Sequence, residues 1–148
     1  MALVLVACTT SADDAADTTA GATGAVEAAP ATLSLADLAG TWNVRSTVEG
    51  NDTTVVAYDL IATADRTGWS IKFPNRDPIP VRVVAVEGDS VIYESGPFES
   101  VLRKGVQVRT TVVGRLRDGK LIGSTVARYD VTGADSVTRL RYEGTRAN

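Results

Sequence analysis

The chain has 148 residues, with 15 Lys and Arg against 18 Asp and Glu, no histidine and one cysteine. Without histidine, Ser-His-Asp and Cys-His catalysis are excluded, as are ordinary zinc and copper sites. A net charge of −3 and no basic stripe exclude a nucleic-acid footprint, and a lone cysteine excludes an internal disulfide.

The first feature in chain order is the apolar run Ala2-Leu3-Val4-Leu5-Val6-Ala7, which leads straight into Cys8. Leu5-Val6-Ala7-Cys8 resembles the lipobox of bacterial lipoproteins. That resemblance implies a lipidated Cys8 at the mature N-terminus and a membrane anchor in the cell envelope, facing the periplasm. Thr9 after the cysteine, in place of Asp, implies the outer membrane. No Lys or Arg precedes Cys8, and the run is shorter than the roughly 7–15 residues of a signal-peptide core. Residues 1–8 therefore read as the remnant of a lipoprotein signal peptide whose true start lies upstream. The alternative is a buried strand with a core cysteine, but the segment that follows offers nothing to pack against it.

Residues 9–32 hold nine Ala, six Thr, four acidic residues and a single Val. So little apolar surface cannot offset the entropy of ordering, and the sequence predicts a disordered tether. A flexible coil of that length spans about 25–30 Å on average. An Ala-rich helix is the rival, opposed by Thr pairs, two glycines and the lack of an apolar stripe. Asp13, Asp14 and Asp17 read as a solvated charge run. With those three and Glu27 in the tether, residues 33–148 keep 14 acidic residues against all 15 basic ones. This near-neutral domain is long enough to bury a core.

Within it, Leu33–Leu38 is the one helical candidate, with Ser34 as N-cap and Gly40 as stop. After Gly40 the pattern alternates and is dense in Val and Thr, as strands are. Strands are predicted at 41–49, 55–63, 69–73, 81–87, 91–95, 98–102 and 137–146, with a long hairpin over 106–130. Pro74, Pro78 and Pro80 predict a stiff connection, and Gly88-Asp89 a type II′ turn. Asp118-Gly119 is the strongest turn signal in the chain and sets the hairpin register. Leu116 then faces Leu121, Gly114 faces Gly123, Val112 faces Thr125, Thr110 faces Ala127 and Val108 faces Tyr129. That face is apolar and small, whereas Gln107, Arg109, Arg115, Arg117, Lys120, Arg128 and Asp130 lie on the other. With no amphipathic helix to cover the apolar face, the sheet must close on itself. The expectation is an all-β, antiparallel up-and-down barrel of eight or nine strands.

Gly40-Thr41-Trp42 at the start of the first strand resembles the G-x-W signature of lipocalins and the wider calycin barrels. The resemblance implies that Trp42 plugs the closed end beneath a basic residue of the last strand, Arg146 or Arg141. It also implies an interior that takes a small apolar ligand.

Glu94, Glu99 and Glu143 are the remaining carboxylates for acid–base work, on faces that read as solvated, so no enzyme activity is expected. No glycine-rich phosphate loop or other cofactor motif is present, and Asn51-Asp52-Thr53 reads as a turn. The paired glycines admit two readings, a sharp bend of the sheet or a hollow. The hollow would be lined by Trp69, Val108, Val112, Gly114, Leu116, Gly123, Thr125 and Tyr129, with polar tips from Tyr58, Tyr93 and Tyr142. The expected function is a lipid-anchored barrel binding a small apolar molecule, with the membrane as its partner. The competing expectation is an interaction module with a filled barrel that uses an edge or the outer arginines Arg109, Arg115 and Arg128. Internal volume separates the two, ligand sites starting at about 300 Å³.

Overall fold

The computed structural model describes residues 32–148; Cys8 and all of the tether but Thr32 lie outside them. The first element is α1 (Leu35–Leu38). Ser34 Oγ accepts from the Ala36 N–H at 3.3 Å, and the Asp37 carboxylate accepts from the Ser34 N–H at 3.0 Å, which completes a capping box. Four residues are far fewer than the roughly 12–15 that an isolated helix needs. Tertiary burial of Leu38, fully shielded from solvent, holds this turn in place.

Eight strands follow: β1 (Gly40–Val48), β2 (Thr54–Ala62), β3 (Ser70–Lys72), β4 (Ile79–Glu87), β5 (Ser90–Glu99), β6 (Gln107–Arg117), β7 (Lys120–Tyr129) and β8 (Val137–Arg146). Each is antiparallel to the next, and β8 returns to β1 with Trp42 opposite Arg146 and Val48 opposite Leu140. The result is a closed up-and-down barrel, the arrangement that leaves fewest free strand edges. Alternation does the sorting. Along β1, Trp42, Val44 and Ser46 are buried while Thr41, Asn43 and Arg45 are exposed.

Successive connections alternate between the two ends of the barrel, and the tight β4–β5 and β6–β7 turns share one of them. Asp118 (φ 51°) and Gly119 (φ 76°) are both left-handed, as a type I′ turn requires. The resulting β6–β7 register is the one expected from the sequence, from Leu116–Leu121 through Val108–Tyr129. Within that register Leu121 is fully buried, whereas Leu116 beside it is only half-buried. Leu121→Ala is expected to destabilise the barrel by about 2–5 kcal/mol, and the exposed Arg117→Ala to stay within about 0.5 kcal/mol. Equal shifts of the two denaturation midpoints would contradict the assigned faces.

The predicted separate strand at 98–102 does not form. Phe98 and Glu99 belong to β5, which continues past a bulge: Ser95 pairs with Thr110 and Phe98 with Val108, so Gly96 and Pro97 together oppose Arg109. Gly96 sits at φ +106°, and a Cβ there would lie 2.5 Å from the Val108 carbonyl oxygen. Only glycine fits. The strand count is therefore eight, and residues 100–106 form a loop.

The β3 ladder is shorter than the 69–73 stretch expected, because Pro74 follows and Asn75 turns the chain at φ 60°. Its pairing covers only Asp59–Ile61 of β2. Among the described residues, Thr54–Tyr58 of β2 have no ladder neighbour on that side. No helix among the described residues is long and apolar enough to cross a membrane.

Candidate functional site

The end of the barrel beside α1 is sealed. Trp42 is fully buried, and its Nε1 donates to the Leu38 carbonyl at 2.8 Å. The Arg146 guanidinium lies 4.4 Å from the centre of the Trp42 ring. It also donates to the carbonyls of Ala39 (2.8 Å) and Asp37. One side chain of the last strand thus covers the tryptophan face and satisfies the C-terminal carbonyls of α1. Of the two basic candidates, Arg146 stands over Trp42; Arg141 is exposed, opposite Ser124. Gly40 (φ +127°) starts β1 directly beneath, and a Cβ there would lie 3.2 Å from Arg146 Nη1.

Above this seal lies a tier of hydroxyls. Tyr58, Tyr93 and Tyr142 reach it from β2, β5 and β8, with Ser46 of β1 and Thr125 of β7. Tyr93 Oη, Tyr142 Oη and Thr125 Oγ1 are buried without a hydrogen-bond partner among the described residues. Ser95 Oγ and Thr110 Oγ1 satisfy each other at 2.6 Å. Burial pushes the Tyr58 phenol up to about 12, against a lowering by the Ser46 and Tyr93 hydroxyls. Burial pushes Tyr93 well above its ordinary value, helped by the neighbouring Tyr142 and Tyr58 phenols, and raises Tyr142 as well. All three stay neutral near pH 7, so each keeps a proton to donate.

Next to this tier is an apolar slot of about 60 Å³, extending to the loops at the far end. Val108, Val112, Ala127 and Tyr129 form one wall, Phe73 and Phe98 another, and Val101 and Leu102 stand at the mouth. The mouth is held by local bonds. Ser100 Oγ accepts from the N–H groups of Leu102 and Arg103, each at 3.1 Å. Arg103 stacks 4.2 Å from the Tyr129 ring centre and donates to the Asp135 carbonyl. Val101 and Leu102 remain about 40% exposed.

Four of the eight residues predicted to line a hollow do so: Val108, Val112, Thr125 and Tyr129. The other four do not. Trp69 lies deeper, 2% exposed, its ring 5.6 Å from that of Tyr93 and its Nε1 bonded to the Asp65 carbonyl at 2.8 Å. Leu116 sits near the sealed end by the β6–β7 turn. Gly114 and Gly123 are covered by the Tyr142 ring. A Cβ at Gly114 would collide with the Tyr142 hydroxyl, and one at Gly123 with the Val113 carbonyl and, at 2.8 Å, with the ring. The missing side chains make room for an aromatic from the neighbouring strand, so the paired glycines leave no hollow.

Slot residues that sequence reasoning missed include Ser46, Ser95 and Phe98. Strand parity could have found the two serines, since Ser46 follows Trp42 and Val44, and Ser95 follows Val91 and Tyr93, at steps of two. Phe98 was hidden by the bulge.

On the outside, the three candidate carboxylates are each engaged by their own donor: Glu94 by Arg82 at 2.6 Å, Glu143 by Lys120 at 3.0 Å and Glu99 by the Gly105 N–H at 3.1 Å. Asp89 pairs with Arg117, and with Arg115 at 3.6 Å. Arg109 and Arg128 directly oppose each other across β6 and β7, with no carboxylate within pairing distance among the described residues. They border an outer groove of about 540 Å³ together with Arg82 and Glu94.

No family model, curated protein or solved structure matches this chain. The fold is a closed eight-stranded antiparallel barrel.

Proposed function

We propose that this is a lipocalin-like binding barrel, not an enzyme, tethered to the cell envelope by lipid on Cys8 and facing the periplasm. The observation that carries the binding function is the apolar slot that reaches the loop end of a barrel sealed at the other. Trp42 under Arg146 at the sealed end supports the lipocalin-like reading. At about 60 Å³ the slot is well below the about 300 Å³ at which ligand sites usually begin. It has room for about four to six water-sized groups. The ligand is accordingly small, and a fatty-acid chain does not fit within these walls.

A short apolar probe tests the reading. Cyclopentane is expected to shift the methyl signals of Val108, Val112 and Ala127 in a saturable way. Ala127→Leu would place extra carbons in the slot, keep a cooperative unfolding transition and abolish those shifts. Absence of any saturable shift in the wild-type protein sinks the ligand reading.

A second reading, an interaction module with a filled barrel, has its own observations: the small interior volume, the stretch Thr54–Tyr58 of β2 that β3 leaves without a ladder neighbour on one side among the described residues, and the opposed Arg109 and Arg128. Like charges facing each other across a ladder cost stability, and an acidic partner in the outer groove would relieve that. Arg115 is already engaged by Asp89 and by Ser90 Oγ at 3.0 Å, which leaves Arg109 and Arg128 as the patch.

The anchor rests on Leu5-Val6-Ala7-Cys8 alone. Cys8→Ser in the native precursor is expected to move the protein from the membrane fraction to the soluble one. Unchanged fractionation would refute the lipoprotein assignment.

A further inference from the structure

Arginine is concentrated on one outer face of the barrel, and most of it has no counter-charge. Of the outward-facing basic side chains of β6, β7 and β8, Arg115 and Arg117 are engaged by Asp89, and Lys120 by Glu143. Arg109, Arg128, Arg139 and Arg141 have no carboxylate within pairing distance among the described residues. The ladder sets them in successive rows: Arg109 opposite Arg128, then Val126 opposite Arg139, then Ser124 opposite Arg141. Between them Thr111, Val113, Ile122 and Val126 form a half-buried, largely apolar floor. Two grooves border the Arg109–Arg128 pair, and a third runs beside Arg141 over Val113 and Ile122. Deepening the interaction reading above, on which this rests, we propose that the outer face of β6–β8 receives an acidic protein segment in extended conformation, its carboxylates held by Arg109, Arg128, Arg139 and Arg141.

The side chains define the partner's chemistry. A guanidinium meets a carboxylate through two parallel N–H donors. Arginine beside apolar surface is the composition of an interface centre, where lysine is depleted. Opposed arginines cost the free barrel stability, and bound carboxylates remove that cost. Spacing selects an extended chain, because its alternate side chains repeat every 6.5–7 Å or so, about the interval between the arginine rows. A lipid surface fits less well. Val137, opposite Arg128, is the one large apolar side chain that stands exposed on these strands, so the face carries no broad apolar surface to bury in a bilayer. A free phosphate would bridge a single row.

The probe is a short capped peptide of alternating Glu and Thr. A Lys-Thr peptide, inorganic phosphate and phosphatidylglycerol vesicles serve as comparisons, each followed by backbone amide NMR shifts. The Glu-Thr peptide is expected to shift Thr111, Val113, Ser124 and Val126 saturably, more weakly as salt is raised, and the Lys-Thr peptide to leave them unmoved. Arg128→Thr with Arg139→Thr is expected to lose about fivefold or more in affinity. The charge-matched variant Lys72→Gln with Lys104→Gln, on β3 and the 100–106 loop, is expected to stay within about twofold. Thr suits a strand and relieves the repulsion at Arg128, so the first variant should melt cooperatively. If it does not fold, Arg128→Lys with Arg139→Lys replaces it, keeping the charge and losing the paired donors. Equal losses in the arginine and lysine variants would mean diffuse attraction and overturn the site. Phosphate that binds as tightly as the peptide overturns the extended segment. Shifts of this face by vesicles alone overturn the protein partner in favour of a lipid surface. Peptide shifts confined to Thr54–Tyr58 overturn this face and leave the interaction reading on β2. If no probe shifts either surface, the interaction reading falls as well.

Discussion

Trp42→Ala is expected to lower the stability of the barrel by about 3–5 kcal/mol, the largest loss among single side-chain truncations here. Trp42 and Trp69 are the largest fully buried side chains among the described residues, and three separate contacts end with Trp42. Its removal opens a void between Leu38 and Leu60, strips the Leu38 carbonyl of its 2.8 Å donor, and leaves the Arg146 guanidinium without the ring it covers. A domain of this size is stable by only about 5–15 kcal/mol, so the thermal midpoint should fall by roughly 10–20 °C. Trp42→Phe isolates the polar part. It keeps most of the apolar area but leaves the buried carbonyl unpaired, for about 1–3 kcal/mol. If Trp42→Ala melts no lower than the exposed Thr41→Ala, the sealed end does not hold the fold together.

The second large effect is a coupling. Gly114→Ala is expected to destabilise by about 1–3 kcal/mol, because its methyl occupies the place of the Tyr142 hydroxyl and the interior cannot expand to take both. Tyr142→Phe alone should be close to neutral, since the hydroxyl it removes has no partner to lose. In the Tyr142→Phe background the same alanine meets ring carbon instead of oxygen, and its cost should shrink. A double-mutant cycle by chemical denaturation is expected to return a favourable coupling of about 0.5–3 kcal/mol. Strict additivity would mean that the ring does not cover Gly114. Gly123→Ala gives the contrast. Its Cβ meets the Val113 backbone carbonyl as well as the ring, so trimming Tyr142 should rescue it poorly.

Local rules carried far in this chain. The Asp118-Gly119 turn fixes ten residue pairs of β6 and β7 because a two-residue loop allows one register and the pleat then assigns every side chain to a face. The alternating, Val- and Thr-dense pattern located all eight strands, and the want of an amphipathic helix argued for closure. Arg146 was separable from Arg141 on the same grounds, since it shares the inward parity of Leu140, Tyr142 and Gly144. Parity failed at Gly96-Pro97, where two residues oppose one and the count that defines inside from outside slips.

What the sequence by itself determined is an antiparallel barrel, the inner and outer faces of its long hairpin, and a Trp-bearing strand that starts at one end. What only the tertiary structure decided is how the interior is filled. Tyr142 lies opposite Gly123 through the β7–β8 pairing, and those strands are joined by seven residues that impose no register of their own. Whether two glycines face an empty space or an aromatic ring depends on that non-local alignment, which no short-range pattern encodes. The same holds for the hydroxyls of Tyr93 and Thr125. Both could be placed on inward positions from the chain alone, but the lack of a partner for either is a property of the closed barrel, where neighbours come from strands far apart in sequence.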